Sequence, residues 1–142
     1  MPELPLTGGC LCGAVRYEIS EPLRSAGYCH CTRCQRRTGA AASAQGGIVP
    51  GSLRWTSGEE LIKTWWPADD GFGKSFCAEC GSHLCSRDPE KPGEVFAVRL
   101  GTFDGDPGVR PSVRRYVANA AVWEPLPDDG LPRYPERRPP TM

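Results

Sequence analysis

Seven of the chain's eight cysteines fall into three tight groups. Cys10-Leu11-Cys12 is a C-x-C pair followed by Gly13. Cys29-His30-Cys31-Thr32-Arg33-Cys34 is a C-H-C-x-x-C triplet. Cys77-Ala78-Glu79-Cys80 is a C-x-x-C pair closed by Gly81. Thiolates two or three residues apart can reach one ion, because extended or tightly turned backbone brings both sulfurs to the same side. A glycine after such a pair permits the left-handed turn that lets backbone amides face the sulfurs. The pattern points to a thiophilic metal, zinc first, which takes four tetrahedral ligands in structural sites and keeps one position open in catalytic ones. The competing chemistries fit less well. Disulfides need an oxidising compartment, a redox C-x-x-C wants to open a helix in a βαβ unit, and iron–sulfur clusters use other spacings.

Simple arithmetic suggests a division of the ligands. Cys10, Cys12, Cys77 and Cys80 make one closed four-thiolate site that would staple the N-terminal strand to the middle of the chain. Cys29, Cys31 and Cys34 remain as a three-thiolate site with an open fourth position, the usual catalytic arrangement. Spacing alone leaves other pairings open, and the triplet could draw a fourth ligand from elsewhere, with Cys85 and His83 as the candidates. Cys85 beside Leu84 also reads as a small core residue, and His83 as a strand or turn residue. His30, flanked by two ligands in extended backbone, should point away from them. Arg33, Arg36 and Arg37 surround Cys34. A solvated helical face would account for them. In a functional role they would offset the charge of a thiolate entering a zinc trithiolate centre and pair with substrate carboxylates. Trp55, Trp65, Trp66 and Trp123 are expected as core or rim aromatics.

The elements that must position these groups are short. Val15, Tyr17 and Ile19 alternate with Arg16 and Glu18, the mark of a half-buried strand. Comparable runs lie at 46–49, 53–56, 61–66, 75–77, 84–87, 95–100 and 113–118, divided by Pro50-Gly51, Ser57-Gly58, Asp70-Gly71 and Pro92-Gly93. Many short strands with such punctuation predict an antiparallel, mainly β architecture. The one helical candidate is a turn or two at 33–38. From Pro125 the chain is proline-rich and expected to be irregular.

A chain of 142 residues suffices for one domain with its own core. Residues 4–135 are expected to form a single zinc-binding domain, with 136–142 as an irregular tail. Seventeen basic residues balance seventeen acidic ones, so no basic patch suggests a nucleic-acid partner. No apolar run approaches the roughly 18 residues of a membrane span. The N-terminal Met-Pro-Glu-Leu-Pro lacks the features of a secretory signal, so a reducing cytoplasmic setting is expected, where thiolates persist as metal ligands.

Gly8-Gly9-Cys10-Leu11-Cys12-Gly13-Ala14-Val15, the triplet at 29–34 with Gly39 behind it, and Phe76-Cys77-Ala78-Glu79-Cys80-Gly81-Ser82-His83-Leu84 together resemble the glutathione-dependent formaldehyde-activating enzyme (Gfa) family, which includes centromere protein V. The ending is similar too, with Ala121-Val122-Trp123 and Asp129-Gly130-Leu131-Pro132, so the resemblance spans about residues 7–135. It implies a single-domain β-tent fold of antiparallel sheets. It implies a structural zinc on Cys10, Cys12, Cys77 and Cys80, and a second, exchangeable zinc on Cys29, Cys31 and Cys34 as the catalytic centre. The implied activity is that of a carbon–sulfur lyase on a thiol–aldehyde adduct such as S-hydroxymethylglutathione, with a glutathione-like small thiol as partner. The alternative is a zinc-stabilised binding module without turnover, which a closed fourth ligand at the triplet would favour.

Overall fold

The alternation at 15–19 sorts side chains as a half-buried strand should: Val15, Tyr17 and Ile19 are 0, 1 and 0% exposed. The computed structural model describes residues 2–137. Strand β2 (Arg16–Ile19) is the centre of a three-stranded antiparallel sheet, flanked by β1 (Leu6–Gly9) and β5 (Leu53–Ser57). A larger sheet contains β3 (Ser25–Cys29), β4 (Ser43–Gly47), β6 (Ile62–Trp65), β7 (Gly73–Cys77), β8 (His83–Arg87), β9 (Ala97–Arg99) and β10 (Arg114–Arg115), in the order β10-β3-β4-β9-β8-β7-β6. One helix, α1 (Thr32–Thr38), follows β3. The mainly β class expected from the sequence is what the described residues adopt. No helix among them is long and apolar enough to cross a membrane.

The core lies where the two sheets meet. Leu6, Tyr17 and Ile19 from the small sheet pack with Cys77, Leu84, Cys85 and Val98 from the large one, joined by Cys10, Val15, Leu23 and Ile48 from the connections. Tyr17 makes edge-on contacts with Trp55 and Phe103 at 5.9 and 5.8 Å, and its hydroxyl pairs with Thr102 Oγ1 at 2.6 Å. Directly opposed residues of antiparallel strands share a face. In the large sheet Cys85 opposes Val98, and both face the core. The register Cys29–Ser43, Gln45–Arg99, Ala97–Ser86 and Ser86–Lys74 places the polar residues together on the other face.

Three elements depart from expectation. Strands β1 and β3 lack an apolar repeat, being Leu-Thr-Gly-Gly and Ser-Ala-Gly-Tyr-Cys. Their small residues reflect close packing: a Cβ on Gly8 would meet the Thr102 carbonyl oxygen at 2.4 Å. The strand expected at 113–118 is only two residues of ladder, parallel to β3, followed by a 3₁₀ turn at Val117–Asn119. The long connection after β9 lets β10 enter beside β3 in the parallel sense. The proline-rich segment after Pro125 carries no regular element; the isolated Arg114–Arg133 bridge and the Arg114–Asp129 ion pair tie it to β10, and the Tyr116 and Val117 amides donate to the Glu136 and Tyr134 carbonyls. Of the expected tail, residues 138–142 lie outside the described residues.

Candidate functional site

Two turns face each other to form a four-cysteine centre. After β1, Cys10 closes a turn in which its amide donates to the Val15 carbonyl and the Gly13 amide donates to the Cys10 carbonyl, with Gly13 at φ +82°. At the end of β7, the Gly81 amide donates to the Cys77 carbonyl, with Gly81 at φ +77°. Both glycines occupy the left-handed region that the C-x-C-G and C-x-x-C-G patterns required. The sulfurs of Cys10, Cys12, Cys77 and Cys80 all lie within 4.8 Å of one another. Cys10–Cys12 and Cys12–Cys77 are 3.5 and 4.0 Å apart, on either side of the ~3.8 Å edge of a tetrahedron with zinc–sulfur bonds of about 2.3 Å. Ser82, which the sequence reading overlooked, links the turns. Its hydroxyl takes the Leu11 amide at 2.8 Å and meets Cys80 Sγ at 3.2 Å, holding that thiol down at about 5. This centre therefore ties the small sheet to the β7–β8 turn of the large one.

The triplet is assembled by one strand end and one helix start. Cys29 ends β3, and Cys31 caps α1, its sulfur accepting the Cys34 amide at 3.3 Å. The helix stops at Gly39, φ +70°. The three sulfurs lie within 4.8 Å of one another, and no further Cys, His, Asp or Glu among the described residues joins them. Their mutual hydrogen bonds split the thiols: Cys29 and then Cys34 hold Cys31 far below the ordinary range, while Cys31, Cys34 and burial push Cys29 far above it. Three sulfurs so close cannot all ionise without a cation. Both donor sets, all thiolate and in groups of four and three, fit a soft divalent ion such as zinc.

His30 points away as expected: it is 3% exposed, and its Nε2 accepts from Arg114 Nη1 at 3.1 Å. Cys85 is 1% exposed in the core, its thiol pushed up by burial, and it joins neither cysteine group. His83 joins neither, and burial followed by the charges of Arg37 and Arg99 keeps it below its ordinary value. The three arginines separate. Arg33 is exposed and paired with Asp69 across the β6–β7 loop. Arg36 is exposed, and Arg37 is turned inward over the Phe76 ring, 5.5 Å from its centroid. Of the tryptophans, Trp55 packs on the core while Trp65, Trp66 and Trp123 are exposed.

The sequence reading also missed Arg99, Lys74 and Ser43. Arg99 had one available signal, a charge inside the apolar 95–100 run. Surface clefts along residues 2–7 and 103–110 hold neither cysteine nor histidine, and their Asp106 and Arg110 pair with each other.

A profile of the family described as glutathione-dependent formaldehyde-activating enzyme matches residues 5–119, a span holding both cysteine centres and α1. No curated protein matches the chain. A crystal structure of a Rhodobacter sphaeroides protein is similar over 90% of this chain and 98% of that one, at 25% identity with a TM-score of 0.55.

Proposed function

The chain belongs to the glutathione-dependent formaldehyde-activating enzyme family, and on that premise we propose that it is a zinc-dependent carbon–sulfur lyase acting on a thiol–aldehyde adduct such as S-hydroxymethylglutathione. One observation carries the reading: Cys29, Cys31 and Cys34 converge as a set of three, with no fourth Cys, His, Asp or Glu among the described residues. A set of three leaves a coordination position for a substrate sulfur, whereas Cys10, Cys12, Cys77 and Cys80 suffice to close a structural site.

Zinc held by the triplet would lower the pKa of a substrate thiol and keep it as the nucleophilic thiolate. The protein's own residues do the rest. Cys31, fixed by the Cys34 amide, holds the centre at the start of α1. Cys29 and Cys34 are 7 and 8% exposed, so a sulfur arriving there leaves water behind. Arg37, inward on the same helix, offsets the added negative charge, while Arg33 and Arg36 stand at the exposed rim. In the synthetic direction the S–C bond forms as the C=O π bond opens, and the thiol proton ends on the new hydroxyl; lysis is the reverse. Holding thiol and aldehyde together supplies most of the acceleration. Thiolates persist as metal ligands in a reducing compartment, and we place the protein in the cytoplasm.

The test is exchange-detected NMR of formaldehyde and glutathione mixtures. Zinc-loaded protein should accelerate formation and breakdown of the adduct, and Cys31→Ser should return the rate to background while the protein stays folded. A folded, zinc-loaded wild type that leaves the rate at background would favour the binding module instead.

A further inference from the structure

Unpartnered cationic groups collect beside the cysteine triplet. Arg99 of β9 is 8% exposed, and although its Nη1 donates to Gln45 Oε1 at 2.8 Å, its buried Nε has no partner. Nε and Nη2 of Arg37 are also buried and unpartnered. Those two atoms form the side-on edge of the guanidinium, the edge that grips a carboxylate with two parallel hydrogen bonds. Ser43 Oγ, in a residue 4% exposed, is a further buried donor without a partner.

Register brings these groups to one place. Ser43, Gln45, Arg99 and Lys74 share the face of the large sheet that carries Cys29. Helix α1 lies over that face, because its Cys34 meets Cys29 there, and it brings Arg37 with it. Burial and then the charge of Arg99 lower both Arg37 and Lys74, while the triplet sulfurs raise Lys74. No ion pair among the described residues involves Arg37, Lys74 or Arg99. Arg99 is buried and Arg37 and Lys74 are half-buried, and cations taken out of water without counter-charge are expensive. A zinc trithiolate carries one negative charge against these three positive ones, so two remain to be matched. An incoming thiolate matches one, and a carboxylate matches the other.

We propose that Arg37, Arg99, Lys74 and Ser43 form a carboxylate subsite beside the triplet, so that the site selects a thiol, or thiol adduct, whose carboxylate lies a few bonds from its sulfur. The thiol half of this statement rests on the function proposed above; the subsite itself rests on the orphaned donors.

The experiment titrates zinc-loaded protein with 3-mercaptopropionate, neutral 2-mercaptoethanol and sulfur-free propionate. Binding is read by calorimetry and by the arginine Nε–H resonances in ¹⁵N NMR, assigned with Arg37→Gln and Arg99→Gln. The charged thiol should bind about tenfold more tightly than the neutral one, the worth of a charge-assisted hydrogen-bonded pair. Each variant should shrink that ratio, weakening 3-mercaptopropionate by a larger factor than 2-mercaptoethanol. Both carboxylates should shift the Arg37 and Arg99 Nε–H resonances, and 2-mercaptoethanol should not. Equal affinities in the wild type, or a ratio unchanged in both variants, would overturn the subsite. If neither thiol binds but propionate still shifts the two resonances, the thiol reading falls and the subsite stands. If the neutral thiol binds and neither carboxylate shifts them, the reverse holds. Should Arg99→Gln fail to fold, Arg37→Gln and the wild-type resonances decide.

Discussion

Cys85 and Cys77 are both buried cysteines of the large sheet, 1 and 0% exposed, yet their chemistry differs. Cys85 faces Val98 in the core, where burial keeps its thiol protonated and inert. Cys77 opens a turn toward three other sulfurs. Cys85→Ala should therefore cost about 1 kcal/mol of packing and leave the metal content unchanged. Elemental analysis of the purified variant checks this, and a lost zinc would make Cys85 a ligand. Cys77→Ser should act in the opposite way, lowering zinc content and dropping the melting temperature by ~10 °C or more, since structural zinc contributes folding free energy directly. A melt within a degree or two of wild type would remove the structural role from that centre.

At the scale of elements, α1 is the piece whose position matters most. Seven residues make a helix too short to be stable by itself. It is held by a cysteine cap at its start, a left-handed glycine at its end, and Gln35, whose Nε2 donates to the His30 and Asn119 carbonyls at 2.8 and 2.7 Å. Gln35→Ala should loosen the helix without removing any sulfur. Its effect should appear as faster zinc loss from the triplet and about 1 kcal/mol of stability, with the four-cysteine centre retaining its ion. Equal zinc-release rates in variant and wild type, measured with a chromophoric chelator, would mean that the triplet does not depend on the seating of α1.

At the scale of the whole molecule the two centres stand in different relations to folding. The four-cysteine centre joins turns from both sheets, so an ion held there would be lost only as the sheets separate. The triplet comes from a single segment of the chain, 29–34, and a competing ligand can enter where no protein ligand must first leave. Mild chelation or millimolar glutathione should remove one zinc per chain with little change in far-UV circular dichroism. Harsher chelation should remove the other ion and unfold the protein in one step. Cys31→Ser should abolish only the first phase. A single cooperative loss of both ions with unfolding would defeat the division of roles.

The cysteine groups, their fitness for a soft metal ion, the strand at 16–19 and the short helix were legible in the sequence, because each depends on residues within a few positions of one another. Cys-x-Cys-Gly and Cys-x-x-Cys-Gly specify their own turns, and alternation specifies which side of a strand is buried. What local pattern could not supply is whatever depends on register and on approach across the sheets. Strands β1 and β3 are built from small residues chosen by the neighbours that crowd them, such as Tyr17 and Thr102 against Gly8. Arg33, Arg36 and Arg37 look alike in sequence, yet only Arg37 turns inward, because a helix of 3.6 residues per turn over a sheet sends neighbouring positions in different directions. Arg99 and Lys74 lie 65 and 40 positions beyond Cys34, and it is the pairing of β4 with β9 and of β7 with β8 that puts them on the face of Cys29. Spacing along the chain is enough to gather the thiolates; which cations face them depends on strand register and on the seating of α1.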